Sequence, residues 1–198
     1  MIGNALEQSI IAVFQDDLSS TFSINAISKK LEKSYPIIHK KSNFFLKEGV
    51  LKKINVGRAY QCFLNFQNDK AKVFMAINEI NRRDSFVHKT KRFENVMEEL
   101  SQLIQKFSID SIILYKKTLI FIVPNNKQKS EILEMSVLTK DFNILFFDRN
   151  SFQENFLDNT VMQKYHFILY NPHIYVDIIS EVSDKILMKS LIQKTGRL

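Results

Sequence analysis

Residues Ser23 to Phe66, SINAISKKLEKSYPIIHKKSNFFLKEGVLKKINVGRAYQCFLNF, constrain the fold more than any other stretch of the 198-residue chain. Ser23 is placed to cap a helix in which Ile24, Ile27 and Leu31 share one stripe while Lys29, Lys30 and Lys33 face water. That helix is expected to end near Lys33. Ser34 is placed to cap the next, Pro36 suits its first turn, and Ile38, Ser42 and Phe45 form an inward stripe before Gly49 supplies a left-handed stop. So short a turn makes the two helices cross at a steep angle. Val50 to Val56 and Ala59 to Phe66 then alternate or run apolar around Gly57-Arg58, a hairpin signal.

This order resembles a winged helix-turn-helix of the kind found in bacterial and archaeal transcription regulators. The SINAISKKL helix, the SYPIIHKKSNFFLKEGVL helix and the KKINVGRAY wing with glycine at its tip carry the resemblance. It implies that the second helix reads duplex DNA. The face opposite Ile38, Ser42 and Phe45 carries Pro36, Ile37, Lys40, Lys41, Asn43, Phe44 and Lys47, with Tyr35 at its start. In a major groove, Lys40 and Asn43 would bond base edges, Ile37 would meet a thymine methyl, and Lys41 and Lys47 would lie on phosphates. Arg58 at the wing tip would reach the minor groove or backbone, with Lys52 and Lys53 along the wing's stem.

Charge agrees with that placement. The formal net charge is +7, and Ser23 to Phe66 alone holds nine Lys/Arg against Glu32 and Glu48, whereas the first 22 residues hold Glu7, Asp16 and Asp17. Each phosphate contact releases counterions, so duplex binding by this segment should weaken steeply with salt. A solvated basic face is the plain alternative.

The rest of the chain is less specific. At 45% hydrophobic, 198 residues hold one ordinary domain plus a small one. No apolar run approaches a membrane span, and the N-terminus MIGNALEQSIIAVF carries Glu7 in place of a basic region, so a cytoplasmic, nucleoid-associated protein is expected. The single cysteine, Cys62, excludes an internal disulfide and a multi-cysteine zinc site, and reads as a small core residue. His39, His88, His166 and His173 show no ligand spacing; for His39 a DNA contact and a surface or core role both stay open.

Asn4 to Gln15 reads as a first helix packed through Leu6, Ile10, Ala12, Val13 and Phe14. Asn68-Asp69 can start another, with Val73, Ala76, Ile77 and Ile80 as its stripe. RRDSFVHKTKR, residues Arg82 to Arg92, then breaks the pattern and is expected to be a charged joint between domains. Beyond it, Phe93, Val96, Leu100, Leu103 and Phe107 step by three and four, which suits packing on a sheet or a short coiled-coil seam. Ser111 to Tyr115, Leu119 to Val123, Asn143 to Phe147 and His166 to Tyr170 look like strands buried on both faces. Helical patterning in Lys127 to Thr139, Ser151 to Gln163 and Pro172 to Ile192 completes an α/β layer structure. The expected domains are 1–68, a connecting helix and basic joint over 69–91, and 92–198.

The second half resembles the minimal nucleotidyltransferase-type domain, which in archaea is often fused behind a winged helix. FENVMEELSQLIQKFSIDSIILY, LIFIVPN and KDFNILFFDRNSFQENFLDNTVMQKYHFILYNP carry that resemblance, over roughly Arg92 to Pro172. It implies a mixed-sheet α/β domain. A working member has Gly-Ser after the first strand, a loop, and an Asp-x-Asp pair whose carboxylates hold magnesium. Here Tyr115 is followed at once by Lys116-Lys117-Thr118, and Asn143 stands where a third carboxylate is usual. Asp110, Asp141 and Asp148 remain nearby and read as surface or turn residues. Lys116-Lys117 could hold an anion or simply turn the chain. With only Gly3, Gly49, Gly57 and Gly196, no phosphate-cradling loop replaces the missing motif.

The overall expectation is a mixed α+β and α/β chain that regulates transcription by binding double-stranded DNA, as a homodimer. Its second domain would be catalytically inactive, need no cofactor or metal, and serve dimerisation or a protein partner; no membrane is involved. Ile37 and Phe44 leave a second reading, a winged-helix adaptor that docks on a protein, and a nucleotidyltransferase enzyme stands third.

Overall fold

The computed structural model describes residues 4–56, 59–124 and 126–195. The chain divides into two compact units, Met1–Asn78 with Ile179–Leu198, and Glu79–Ile178. This differs from the expected boundaries, because the division falls inside two helices, α4 (Asp69–Lys89) and α8 (Pro172–Thr195).

In the first unit, α1 (Ala5–Gln15) opens with a capping box: Asn4 accepts from the Glu7 amide at 3.0 Å while Glu7 accepts from the Asn4 amide at 2.9 Å. Ser23 caps α2 (Ile24–Lys30) by accepting from the Ala26 amide at 3.1 Å. Between α2 and α3 (Tyr35–Lys47), Glu32 takes a φ of 52°, and the Ser28 hydroxyl donates to the Lys33 carbonyl at 2.7 Å to close the turn. Ser34 sits at the start of α3 but its side chain makes no cap bond; Pro36 supplies the local preference for that first turn. Gly49 leaves α3 at φ 70°, as its position implied. β1 (Leu51–Val56) and β2 (Ala59–Leu64) pair antiparallel, Leu51 opposite Leu64, and Phe22 adds a bridge to Cys62 through bonds of 2.9 and 2.7 Å. This is a winged helix: three helices closed by a hairpin. Its core is Ile10, Phe14, Ile27, Ile38, Phe45 and Leu51, with Cys62 fully buried and its thiol pushed up to about 11 by that burial.

α4 corrects two expectations. Its buried line is Ala71, Phe74, Met75, Ala76 and Asn78, while Val73, Ile77 and Ile80 are not on that line in the way the stripe implied: Val73, Ile77 and Ile80 are only half-buried. Polar Asn78 can turn inward because it donates to the Gln15 side chain at 2.6 Å and to the Gln8 carbonyl at 3.1 Å. Most of the Arg82–Arg92 stretch is also no break, since the helix runs on to Lys89 and the chain turns only at Thr90 and Lys91 before the helix that begins at Arg92. It contains neither glycine nor proline, and Phe86 and Val87 pack on the core of the second unit.

That second unit is built on a four-stranded sheet. β3 (Ser111–Tyr115) and β4 (Thr118–Ile122) form an antiparallel hairpin, β5 (Asn143–Phe147) runs parallel to β4, and β6 (Phe167–Tyr170) runs antiparallel to β3. The order is β5-β4-β3-β6. Phe93, Val96, Leu100 and Leu103 of α5 (Arg92–Lys106) are buried against Ile112, Leu114, Leu119 and Phe121, so the stripe packs on the sheet rather than forming a seam. β3 and β4 are buried on both faces as expected; β5 is not, and leaves Leu145 46% exposed, because it is an edge strand. The helical pattern of Lys127–Thr139 divides into α6 (Lys129–Met135) flanked by short 3-10 turns, and α7 (Arg149–Asp158) ends five residues before Gln163. No helix among the described residues is long and apolar enough to cross a membrane.

A buried polar chain ties β6 to α8 within this unit. His166 Nδ1 lies 2.7 Å from the Met162 carbonyl and Nε2 lies 2.7 Å from the Tyr175 hydroxyl. A carbonyl only accepts, so Nδ1 carries the hydrogen and Nε2 accepts from tyrosine. Burial, helped by the Arg82 charge, holds the imidazole down at about 4, and Tyr175 is pushed well above the usual phenol value by the same burial. Below pH 6.5 the unfolded chain therefore takes up a proton that the folded chain refuses. Stability should fall as pH drops from about 6.5 to about 4, by roughly 3 kcal/mol at the lower end from this group. Urea unfolding across that range should show the slope, and His166→Gln should remove it.

Candidate nucleic-acid interface

The geometry of α3 follows from its buried stripe. Ile38, Ser42 and Phe45 point into the core of the winged helix, so Tyr35, Pro36, Ile37, Lys40, Asn43, Phe44 and Lys47 lie on the other side. Tyr35, His39 and Asn43 form a row at intervals of four: the tyrosine and histidine rings lie 5.4 Å apart, and Asn43 Nδ2 is 3.2 Å from His39 Nε2. Those contacts hold Asn43 along the helix surface. Lys40 and Lys47 project from the same exposed side, and Ile37 and Phe44 are 52% and 48% exposed.

Two of the expected basic contacts, Lys41 and Lys52, lie elsewhere. Lys41 turns back to α1, where its ammonium donates to Glu7 Oε1 at 2.6 Å and passes over the Phe44 ring at 5.7 Å. The lysine's hydrogen bond holds the Glu7 carboxyl below its usual range. Glu7 thus serves the capping box with one oxygen and the α1–α3 tie with the other. Lys52 and Lys53 are neighbours on a strand and so leave opposite faces of the hairpin. Lys53 passes over the Tyr60 ring at 5.5 Å, and Tyr60, its hydroxyl pushed up first by burial and then by Cys62 and Tyr35, is on the side of α3. Lys52 instead lines a small cavity with Phe63 and Asp184, on the far side. Arg58, like Gly57, lies outside the described residues.

The exposed set that the fold brings together is therefore Tyr35, Pro36, Ile37, Lys40, Asn43, Phe44 and Lys47, with Lys53 and Tyr60 beside the start of α3. Tyr60 was absent from the sequence expectation. Strand parity could have found it, since it lies two residues from buried Cys62 and opposite Asn55 on the same face.

In the second unit, the place where the expected resemblance would put a carboxylate-bearing loop is a tight turn. Lys116 and Lys117 join β3 to β4 directly, Lys116 at φ 55°, and Asn143 begins β5. The nearby carboxylates have other work: Asp110 accepts from Arg149 Nε at 2.9 Å, and Asp148 caps α7 by accepting from the Ser151 amide at 2.9 Å, a bond that holds its carboxyl below the usual range. Among the described residues no three His, Cys, Asp or Glu side chains are grouped to hold a metal ion. The residues present do not fit a two-magnesium site.

Comparison with known proteins adds little. Among solved structures the chain is similar to MepR, a transcription regulator of the Staphylococcus aureus multidrug efflux pump MepA, at 13% identity and a TM-score of 0.34, covering 50% of this chain and 77% of that one. At that score the likeness carries no argument about function. No protein-family model and no curated protein matches the chain.

Separating the two lysines tests the geometry. Lys41→Ala should cost about 2 kcal/mol of unfolding free energy, as expected for the removal of a hydrogen bond between charged groups, whereas Lys40→Ala should cost under about 0.5 kcal/mol. Urea titrations of the two variants, with Glu7→Gln expected to follow Lys41→Ala, read the difference.

Proposed function

We propose that the protein is a sequence-specific, double-stranded DNA-binding transcription regulator that reads duplex through α3. The observation that carries this reading is the exposed side of α3, where Lys40 and Lys47 flank Asn43 and face solvent; Lys47 lies near Glu48, whose carboxylate is bonded by Lys70. Lys47 supplies a phosphate contact, and Lys40 and Asn43 reach base edges. Lys53 and Tyr60 lie alongside for backbone contacts from the hairpin. In this reading the protein acts as a homodimer, which would present two such helices to two half-sites.

The second unit is assigned as a nucleotidyltransferase-like domain without catalytic activity, used for dimerisation or partner contact. Its mixed sheet and the succession of helix, strand, strand, helix, strand, helix and strand support that assignment. The two-residue turn at Lys116-Lys117, in place of a carboxylate-bearing loop, supports the loss of chemistry.

A second reading rests on Ile37 and Phe44. Half-exposed apolar side chains seven residues apart on one helix face also suit a winged-helix adaptor that docks on a protein. The two readings differ in salt dependence. Fluorescence anisotropy against duplexes from the protein's own promoter region and a shuffled control should show tighter binding to the former and a steep salt slope. Lys40→Ala with Lys47→Ala should flatten that slope by about 0.9 for each phosphate left unneutralised. Absence of duplex binding at low salt, with a salt-tolerant protein complex in its place, would transfer the function to the adaptor.

A further inference from the structure

The sheet of the second unit ends on one side at β5, NILFF, which carries no charge, no proline and no bulge in its pairing with β4. Edge strands are normally blunted by such devices, because their outward backbone groups template pairing with another chain. The opposite edge, β6, is shorter, shifts register against β3 and is followed by Pro172.

Strand parity fixes what β5 offers. The Asn143 amide donates to the Lys117 carbonyl and the Phe147 carbonyl accepts from the Val123 amide, both at 2.9 Å, so residues 143, 145 and 147 turn their backbone groups toward β4. Ile144 and Phe146 turn theirs outward, and among the described residues no other element bonds them. These two stand symmetrically about Leu145, whose side chain is 46% exposed. Ile144, Phe146 and Phe147 are half-buried.

We propose that β5 pairs antiparallel with β5 of a second copy of this chain, across a two-fold axis at Leu145. Ile144 of each copy then faces Phe146 of the other, and each such pair exchanges both backbone bonds. The two Leu145 side chains meet at a non-bonded position, where side chains approach most closely. A register centred on Ile144 is poorer, because it needs the Phe142 amide, which already donates to the Leu138 carbonyl at 2.9 Å. At the flanks the same axis sets Asp141, four residues before Leu145, level with Arg149, four residues after it, so opposite charges meet at both ends. An extended peptide would find the same backbone groups but neither the matching leucine nor the paired charges; the self-complementary register selects a copy of the chain. This gives the proposed homodimer its surface and rests on that part of the functional reading, not on duplex binding.

Sedimentation velocity of the full chain over a concentration series should show a monomer–dimer equilibrium, since one strand pair makes a small interface. Leu145→Lys should raise the dimer dissociation constant at least about tenfold, by setting like charges opposite each other where leucines met, and should leave the melting temperature of the monomer unchanged. Leu145→Cys, oxidised and run without reductant, should cross-link into a dimer, because opposed cysteines at a non-bonded pair lie within disulfide reach. Wild type, whose Cys62 is buried, and Tyr165→Cys should not. The proposal is overturned if wild type stays monomeric at every concentration, if Leu145→Lys dimerises as wild type, or if Leu145→Cys cross-links no faster than Tyr165→Cys. Lys40→Ala with Lys47→Ala separates the two readings: a dimer that persists while duplex binding is lost supports the β5 surface, and loss of the dimer in that variant overturns it.

Discussion

Burial of Ile38, Ser42 and Phe45 along one side of α3 is the constraint on which the candidate interface depends. A helix 13 residues long has one orientation about its axis once three residues at spacings of four and three are committed to the core. Everything at the surface of α3 then follows, from the Tyr35–His39–Asn43 row to the lysines at 40 and 47. The Lys41–Glu7 pair reinforces that orientation by tying α3 to the capping turn of α1. A charge that could have faced solvent is used to position the helix that carries the others.

The second unit turns on a different restriction. β3 and β4 are buried on both faces, and only two residues connect them. So tight a turn leaves no chain to carry a ligand-binding loop, and it forces Lys116 into a left-handed backbone. The same geometry sets the Lys116 ammonium 5.1 Å over the Tyr115 ring. His166, bonded at both ring nitrogens and kept neutral by burial, holds the chain just before β6 in place and so fixes where Tyr165 and Phe167 stand.

Much of the first unit was legible because its signals are local. The Ser23 cap, the left-handed Gly49 and the apolar stripe of α3 each act within a turn or two of helix and are found as expected; α2 buries Ile24 and Ile27 but ends at Lys30, three residues early, and leaves Leu31 half-buried. The less legible parts have identifiable causes. Charge in Arg82–Arg92 looked like an interruption, yet arginine and lysine are good helix formers, and Phe86 with Val87 anchors the helix on the sheet core. The inward turn of Asn78 depends on Gln15 and Gln8, more than sixty residues earlier, which accept its hydrogen bonds.

The amino-acid sequence by itself determined the succession of helices and strands and the concentration of positive charge in Ser23–Phe66. Periodicity, capping and residue identity are properties of short segments, so they can be read without coordinates. Tertiary structure alone decided where these cations go: Lys41 is taken up by Glu7, and Lys52 and Lys53 are sent to opposite faces. The reason is that an ion pair or a cleft is a meeting of distant residues, fixed by how the elements pack and by nothing within any one of them.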